Sequence, residues 1–168
     1  MNGPARQSAR IAAGAVASLA VATSLAAPCD APPHRQFDFW LGEWTVHTAE
    51  GKLAGRNRIE SEYDGCVLHE RYDTGKGYRG ESLNAYDAGR KVWHQTWVDN
   101  QGTLLLLEGG LRGGSMVLEG QTTEPDGQVT RHRITWTPAA DGSVRQHWES
   151  TDAQGRWSTA FDGRYTRR

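Results

Sequence analysis

The chain is 168 residues long, a length suited to one hydrophobic core. Its 19 Lys and Arg stand against 20 Asp and Glu, a formal net charge of −1, and the signs interleave along the chain. That balance excludes the basic stripe of a nucleic-acid-binding protein, and no apolar run reaches the roughly 20 residues of a membrane-spanning helix.

The first element is a leader. Arg6 and Arg10 precede IAAGAVASLAVATSLAA, residues 11–27, which is small, apolar and uncharged. A basic start, a short apolar stretch and small residues before a cleavage point near Ala26 or Ala27 make the pattern of a signal peptide. The expectation is a signal peptide over 1–27, a domain over 28–168, and a periplasmic or secreted protein. An uncleaved amphiphilic tail is the rival reading. Pro28, directly before Cys29, stands where a lipid-anchoring signal needs a small residue. Cys29 and Cys66 are the two cysteines, and in an exported chain a single pair is expected to form a disulfide that ties the N-terminal segment to the domain. Two unlinked thiols are the alternative.

The second element is QFDFWLGEWTVH, residues 36–47. Phe37, Trp40 and Leu41 fall at i, i+3 and i+4, so one or two turns of helix would put them on one face. Gly42 suits the left-handed position that ends a helix. Beyond it Trp44 and Val46 alternate with Thr45 and His47, the period of a strand. The segment therefore reads as an aromatic plug, with Trp40, Gly42 and Trp44 as its structural residues, leading into a first strand.

From there the chain is punctuated by turn sequences, among them YDG at 63–65, DAGRK at 87–91, PDG at 125–127 and DG at 141–142. The intervening runs of about eight residues are rich in Trp, Tyr, Val, Leu and Thr. They predict strands near 43–50, 54–63, 66–73, 80–87, 91–98, 103–112, 115–122, 128–137, 143–151 and 156–166. Ten consecutive strands in one small domain close most simply on themselves, because closure removes exposed edges. The fold class is all-β, an antiparallel up-and-down barrel.

Small barrels hold ligands inside or at the mouth, so the inward polar residues carry the functional reading. In VWHQTWVD, Trp93, Gln95 and Trp97 share one face, and His94 shares the other with Val92, Thr96 and Val98. If the loop from Asp87 to Arg90 makes an even four-residue connection, Ser82, Asn84 and Tyr86 of the preceding strand meet Gln95 and Trp97, giving an amide and hydroxyl cluster roofed by indole. The alternative is that Trp93 and Trp97 lie outside as a cover for a neighbouring partner. If Asp141-Gly142 is a two-residue turn, His132, Ile134 and Trp136 share a face with Arg145, His147 and Glu149, while Arg131, Arg133 and Thr135 share one with Gln146, Trp148 and Ser150. Ser82, Asn84, Tyr86, Gln95, Trp97, Arg133 and Trp148 are the candidate ligand-binding residues. Glu70 shares a face with Leu68 and Tyr72 that should be buried, and with His94, His132, His147 and Glu149 it makes up the candidate acid–base set.

Nucleophile elbows, zinc-protease motifs, phosphate-binding loops and dinucleotide fingerprints are missing from the sequence. The His residues are scattered singly, without His-x-His pairs, although folding could gather His94, His132 and His147. No metal or cofactor is expected; a haem, which needs one axial His and an apolar pocket, is a minor alternative.

Gly42-Glu43-Trp44 resembles the Gly-x-Trp signature of lipocalins and other calycins. The longer set FDFWLGEW, YDGCVLHE, SLNAYD, WHQTWVD, HRITW and FDGRYTRR resembles a family of exported bacterial proteins with an expected lipocalin-like barrel, over nearly all of residues 34–168. The resemblance implies the fold and a basic residue packed over Trp44, either Arg164 or Arg167. It implies no reaction. The expected function is binding of a small, partly apolar molecule. The alternatives are an isomerase- or lyase-type enzyme on the same fold, and a structural envelope protein with a filled barrel.

Overall fold

The computed structural model describes residues 28–168 and, before them, Gly3 alone; the leader expected over 1–27 lies outside the described residues. Two short 3₁₀ turns, Pro32–Arg35 and Asp38–Trp40, precede ten strands: β1 Gly42–Thr48, β2 Leu53–Glu62, β3 Val67–Asp73, β4 Arg79–Asp87, β5 Val92–Asp99, β6 Leu104–Arg112, β7 Ser115–Thr123, β8 Val129–Pro138, β9 Val144–Thr151 and β10 Trp157–Arg167. Each strand pairs antiparallel with the next, and β1 pairs with β10 from Trp44↔Arg167 to Thr48↔Gly163, closing the barrel. The expected strands match these within two residues at every end, because Gly and Asp turn residues break the alternation sharply.

Side chains alternate in and out along each strand. In β2, Gly55, Asn57 and Ile59 are buried while Arg56, Arg58 and Glu60 face outward, and in β8, His132, Ile134 and Trp136 are buried between partly or fully exposed residues. No helix among the described residues is long and apolar enough to cross a membrane.

The plug is built from 3₁₀ turns rather than a turn or two of α-helix. Pro32 and Pro33 open the first turn, and Leu41 leaves helical geometry at ψ 138° after three helical residues. Phe37 and Trp40 are fully buried, while Leu41 is only partly buried. The Phe37 ring stacks on Trp40 at 4.9 Å and meets Trp93 and Trp136 edge-on at 5.7 and 5.2 Å. Trp44 donates its indole N–H to the Trp40 carbonyl at 2.9 Å. Arg167, of the two arginines considered, lies over the Trp44 ring at 4.5 Å and donates to the Leu41 carbonyl at 3.1 Å. Gly42 has φ +132°, and a Cβ there would stand 2.6 Å from that guanidinium, so the bare backbone at Gly42 leaves room for the arginine.

Cys29 and Cys66 are bonded, with their sulfurs 2.01 Å apart. The bond anchors the segment before the plug to the turn between β2 and β3, where Tyr63, Asp64 and Gly65 all have positive φ. Closing a loop of this sequence separation, 37, is worth about 4 kcal/mol in the chain-entropy treatment.

Candidate functional site

The plug fills one end of the barrel, and a cavity of about 160 Å³ remains toward the other. Its apolar lining comes from Tyr72 of β3, Trp97 of β5, Leu105 of β6, Ile134 and Trp136 of β8, Trp148 of β9 and Phe161 of β10. Three of these rings lie over a glycine, on a neighbouring strand for Trp97 and Tyr72 and on the same strand for Phe161. A Cβ on Gly80 would come 2.2 Å from the Trp97 ring, one on Gly55 2.8 Å from the Tyr72 hydroxyl, and one on Gly163 2.4 Å from the Phe161 ring. The missing side chains let the rings lie against the wall and leave the centre open.

One wall of this cavity is polar and carries Glu70. Its register on β3 sets it between Ile59 of β2 and Ser82 of β4. Ser82 Oγ donates to Glu70 Oε2 at 2.6 Å, and Asn57 Nδ2 donates to Oε1 at 2.7 Å and to the Tyr165 hydroxyl at 3.3 Å. Tyr165 in turn donates to Gln146 Oε1. Asn84 Nδ2 donates to the Leu68 carbonyl at 3.1 Å and to Ser82 at 2.9 Å, and Gln95 Nε2 donates to Asn84 Oδ1 at 2.7 Å. Burial pushes the Glu70 carboxyl up to about 7, against the lowering effect of the Ser82 and Asn57 hydrogen bonds. Burial, and then the nearby Glu70 charge, also raise Tyr165 and Tyr72. Asn57 Oδ1 and Trp136 Nε1 are buried without a hydrogen-bond partner.

Toward the open mouth, burial opposes ionisation of Asp99, but the amides of Thr103 and Gln101 and the Trp97 indole hold its carboxyl at about 2. Tyr78 donates to the same carboxylate at 3.0 Å. On the β8–β9 side, Trp148 Nε1 donates to His132 Nδ1 at 3.2 Å, and His132 Nε2 lies 3.0 Å from Thr122 Oγ1. An indole N–H can only donate, so Nδ1 is the acceptor and the neutral ring carries its proton on Nε2. Burial lowers the His132 pKa, partly opposed by Glu124.

The β8–β9 hairpin corrects the expected parity. Pro138 pairs with Val144, and Ala139 N donates to the Ser143 carbonyl at 2.8 Å. The connection therefore spans residues 139–143 rather than two, and an odd loop brings even residues opposite even ones: Ile134 faces Trp148 and Trp136 faces Gln146. His132 and Trp148 point inward. Arg133 points outward, with Nε 2.7 Å from Glu119 and its guanidinium over Trp157 at 4.7 Å, so it is not part of the cavity wall. His147 and Glu149 are also outward: His147 bonds Thr159 at 3.0 Å, and Glu149 lies 4.0 Å from both His147 and Arg133. His94 is on the outer surface between Glu108 at 3.2 Å and Thr96 at 2.9 Å. The three histidines do not come together, and among the described residues no group of three or more His, Cys, Asp or Glu is placed to hold a metal ion.

The other named residues divide between the two ends of the barrel. Gln95, Trp97, Trp148 and Glu70 line the cavity. Ser82 and Asn84 are fully buried one layer behind it. Tyr86 belongs to the plug end, 6.0 Å from the Trp93 ring and 5.1 Å from His34. Asn57, Tyr72, Gln146, Phe161 and Tyr165 complete the site without having been singled out from sequence. For Asn57 the signal was present, since it alternates with Arg56 and Arg58 in LAGRNRIESE. For Phe161 it was masked by a register shift in β10 between Thr159 and Phe161. Comparison with protein-family models and with curated proteins finds no match to this chain.

Proposed function

We propose that this chain is an exported member of the lipocalin-like family it resembles, and that its open half binds a small, partly apolar molecule. The observation that carries the reading is Glu70, a buried carboxyl on the polar wall of a cavity otherwise lined largely by aromatic rings, with unfilled space beside it. Burying an ionisable group without a charged partner is costly, and a barrel that served only to fold would fill that position with an apolar side chain. The cavity is close in size to engineered apolar cavities of about 150 Å³ that take up benzene. Export rests on the leader pattern and is supported by the Cys29–Cys66 bond, since such bonds persist in oxidising compartments. Native mass spectrometry of protein purified from its own source is expected to show a retained adduct of discrete mass. Absence of any adduct, with a melting temperature unmoved by a panel of ring-sized compounds, would end this reading.

A second reading is favoured by Glu70 alone. A carboxyl that titrates at about 7 is matched to general acid–base work at neutral pH, as an isomerase- or lyase-type reaction would need. Turnover of a bound compound that vanishes in Glu70→Gln while binding persists would establish it.

A further inference from the structure

We propose that the molecule bound in the open half carries a protonated amine on a ring-sized apolar body, with the ammonium seated against Glu70 and the body between Trp97, Trp148 and Phe161. This rests on the binding reading above and adds the chemical class of the ligand.

The charge inventory of the wall is the main argument. Among the described residues lining the cavity, Glu70 is the one charged group, and no Lys, Arg or His side chain lies there to pair with it. The surface is otherwise well supplied with cations: Arg71 pairs with Glu60 at 2.6 Å, Arg145 with Asp162 at 2.7 Å and Arg133 with Glu119 at 2.7 Å. Buried charges in proteins are paired, so this carboxyl awaits either a proton or a cation from outside. Each of its oxygens accepts one internal hydrogen bond, from Ser82 and from Asn57. A carboxylate offers about four acceptor sites, which leaves room for the N–H groups of an ammonium.

The rest of the wall suits the same head group. Aromatic faces attract a desolvated cation, and Tyr72, Trp97, Trp148 and Phe161 surround the space. An anionic ligand would meet Glu70 with repulsion. A neutral ligand with a carbonyl or hydroxyl would require Glu70 to keep its proton, leaving the carboxylate form unused.

The inference makes a proton-linked prediction. The titratable side chains that face Glu70 from the packed strands are Tyr72 on its own strand and Tyr165 across the barrel, both raised above their ordinary range; His69 and Arg71 flank it on β3 but pair outward with Glu62 and Glu60. Below pH 7 an incoming ammonium must displace the Glu70 proton to solvent, so affinity should fall by about tenfold per pH unit. An alkylammonium itself stays charged throughout that range.

Three probes of one shape separate the classes: phenethylammonium, 2-phenylethanol and phenylacetate, titrated into the full chain by calorimetry and followed by tryptophan fluorescence. At pH 8 the ammonium is expected to bind about tenfold or more tighter than the alcohol, with phenylacetate weakest. That preference should collapse in Glu70→Gln, and in the wild-type protein at pH 5.5. An alcohol that binds as tightly as the ammonium at pH 8, or an ammonium preference indifferent to pH, overturns the amine inference while leaving the binding reading intact. If none of the three binds at millimolar concentration, both fall. Should Glu70→Gln fail to fold, the comparison of pH 8 with pH 5.5 in the wild-type protein decides alone.

Discussion

At the end of the barrel closed by the plug, the Phe37 ring meets Trp40, Trp93 and Trp136, and Trp44 meets Tyr165 edge-on at 6.2 Å; all of these side chains are buried. Toward the other end the strands carry rings of the same kind, Tyr72, Trp97, Trp148 and Phe161, but three of these lie back on glycines and a carboxyl replaces the central hydrophobe. The two ends thus differ in packing, one filled by rings and one left with open space. Aromatic surface stabilises where it is packed on all sides, and recognises where one side is left free. The plug end, with its large side chains fully buried, is where truncation is expected to cost the most stability.

The largest expected effect comes from breaking the packed end. Trp44 is fully buried, with its N–H on Trp40 and Arg167 over its face. Trp44→Ala should lower unfolding free energy by about 3 to 5 kcal/mol, read by urea denaturation; an unchanged midpoint would mean that the plug does not carry the stability assigned to it.

Glu70 sharpens the comparison through pH. Its folded-state pKa of about 7 lies above the usual 4.5, so the native state holds an extra proton between those values. Stability from this group is complete below about pH 4.5 and is lost as pH rises through 7, up to roughly 3 kcal/mol by linkage. Subtracting the Glu70→Gln melting curve from that of wild type between pH 4.5 and 8 should isolate this slope. The lowered pKa of His132 works in the opposite direction, with stability lost as pH falls below about 6.5, and it cancels in the subtraction.

Asn84 tests the layer behind the cavity. Asn84→Leu removes the 2.7 Å acceptor of the Gln95 amide, leaving it a 3.4 Å contact with Ser82, and takes away a donor to Ser82, so a stability loss of about 1 to 3 kcal/mol is expected. A variant as stable as wild type but impaired in binding would instead move Asn84 into the site itself. The smallest effect belongs to the outer face. His94→Ala removes an exposed contact with Glu108 and should change neither stability beyond about 0.5 kcal/mol nor ligand binding.

The inward orientation of Asn57 could be read locally, because Arg56, Arg58 and Glu60 alternate with Gly55, Asn57 and Ile59 along β2, and that of Glu70 from its face shared with Leu68 and Tyr72, since a strand has a period of two. In β5 neither face is plainly apolar, so the burial of Gln95 was settled by the fold. The orientation of Arg133 and Trp148 could not be read locally either. It depends on whether the β8–β9 connection holds an even or odd number of residues, and Asp141-Gly142 advertises a two-residue turn that the chain does not make. One residue of loop exchanges the two faces of a strand. The plug was legible as an aromatic cluster next to Gly42, but its 3₁₀ form was not, because four residues cannot express a helical period.

The sequence alone therefore determined ten alternating strands, their order, an aromatic plug and a cysteine pair, since each is written within a window of a few residues by turn chemistry and side-chain alternation. The tertiary structure decided which faces turned inward at β8 and β9, that Arg167 rather than Arg164 covers Trp44, and that Glu70 meets Asn57, Ser82, Tyr72 and Tyr165 beside open space. Those contacts join residues as far apart as Asn57 and Tyr165, separated by 108 positions. Their meeting depends on barrel closure and on the register of every strand pair between them, which no local pattern encodes.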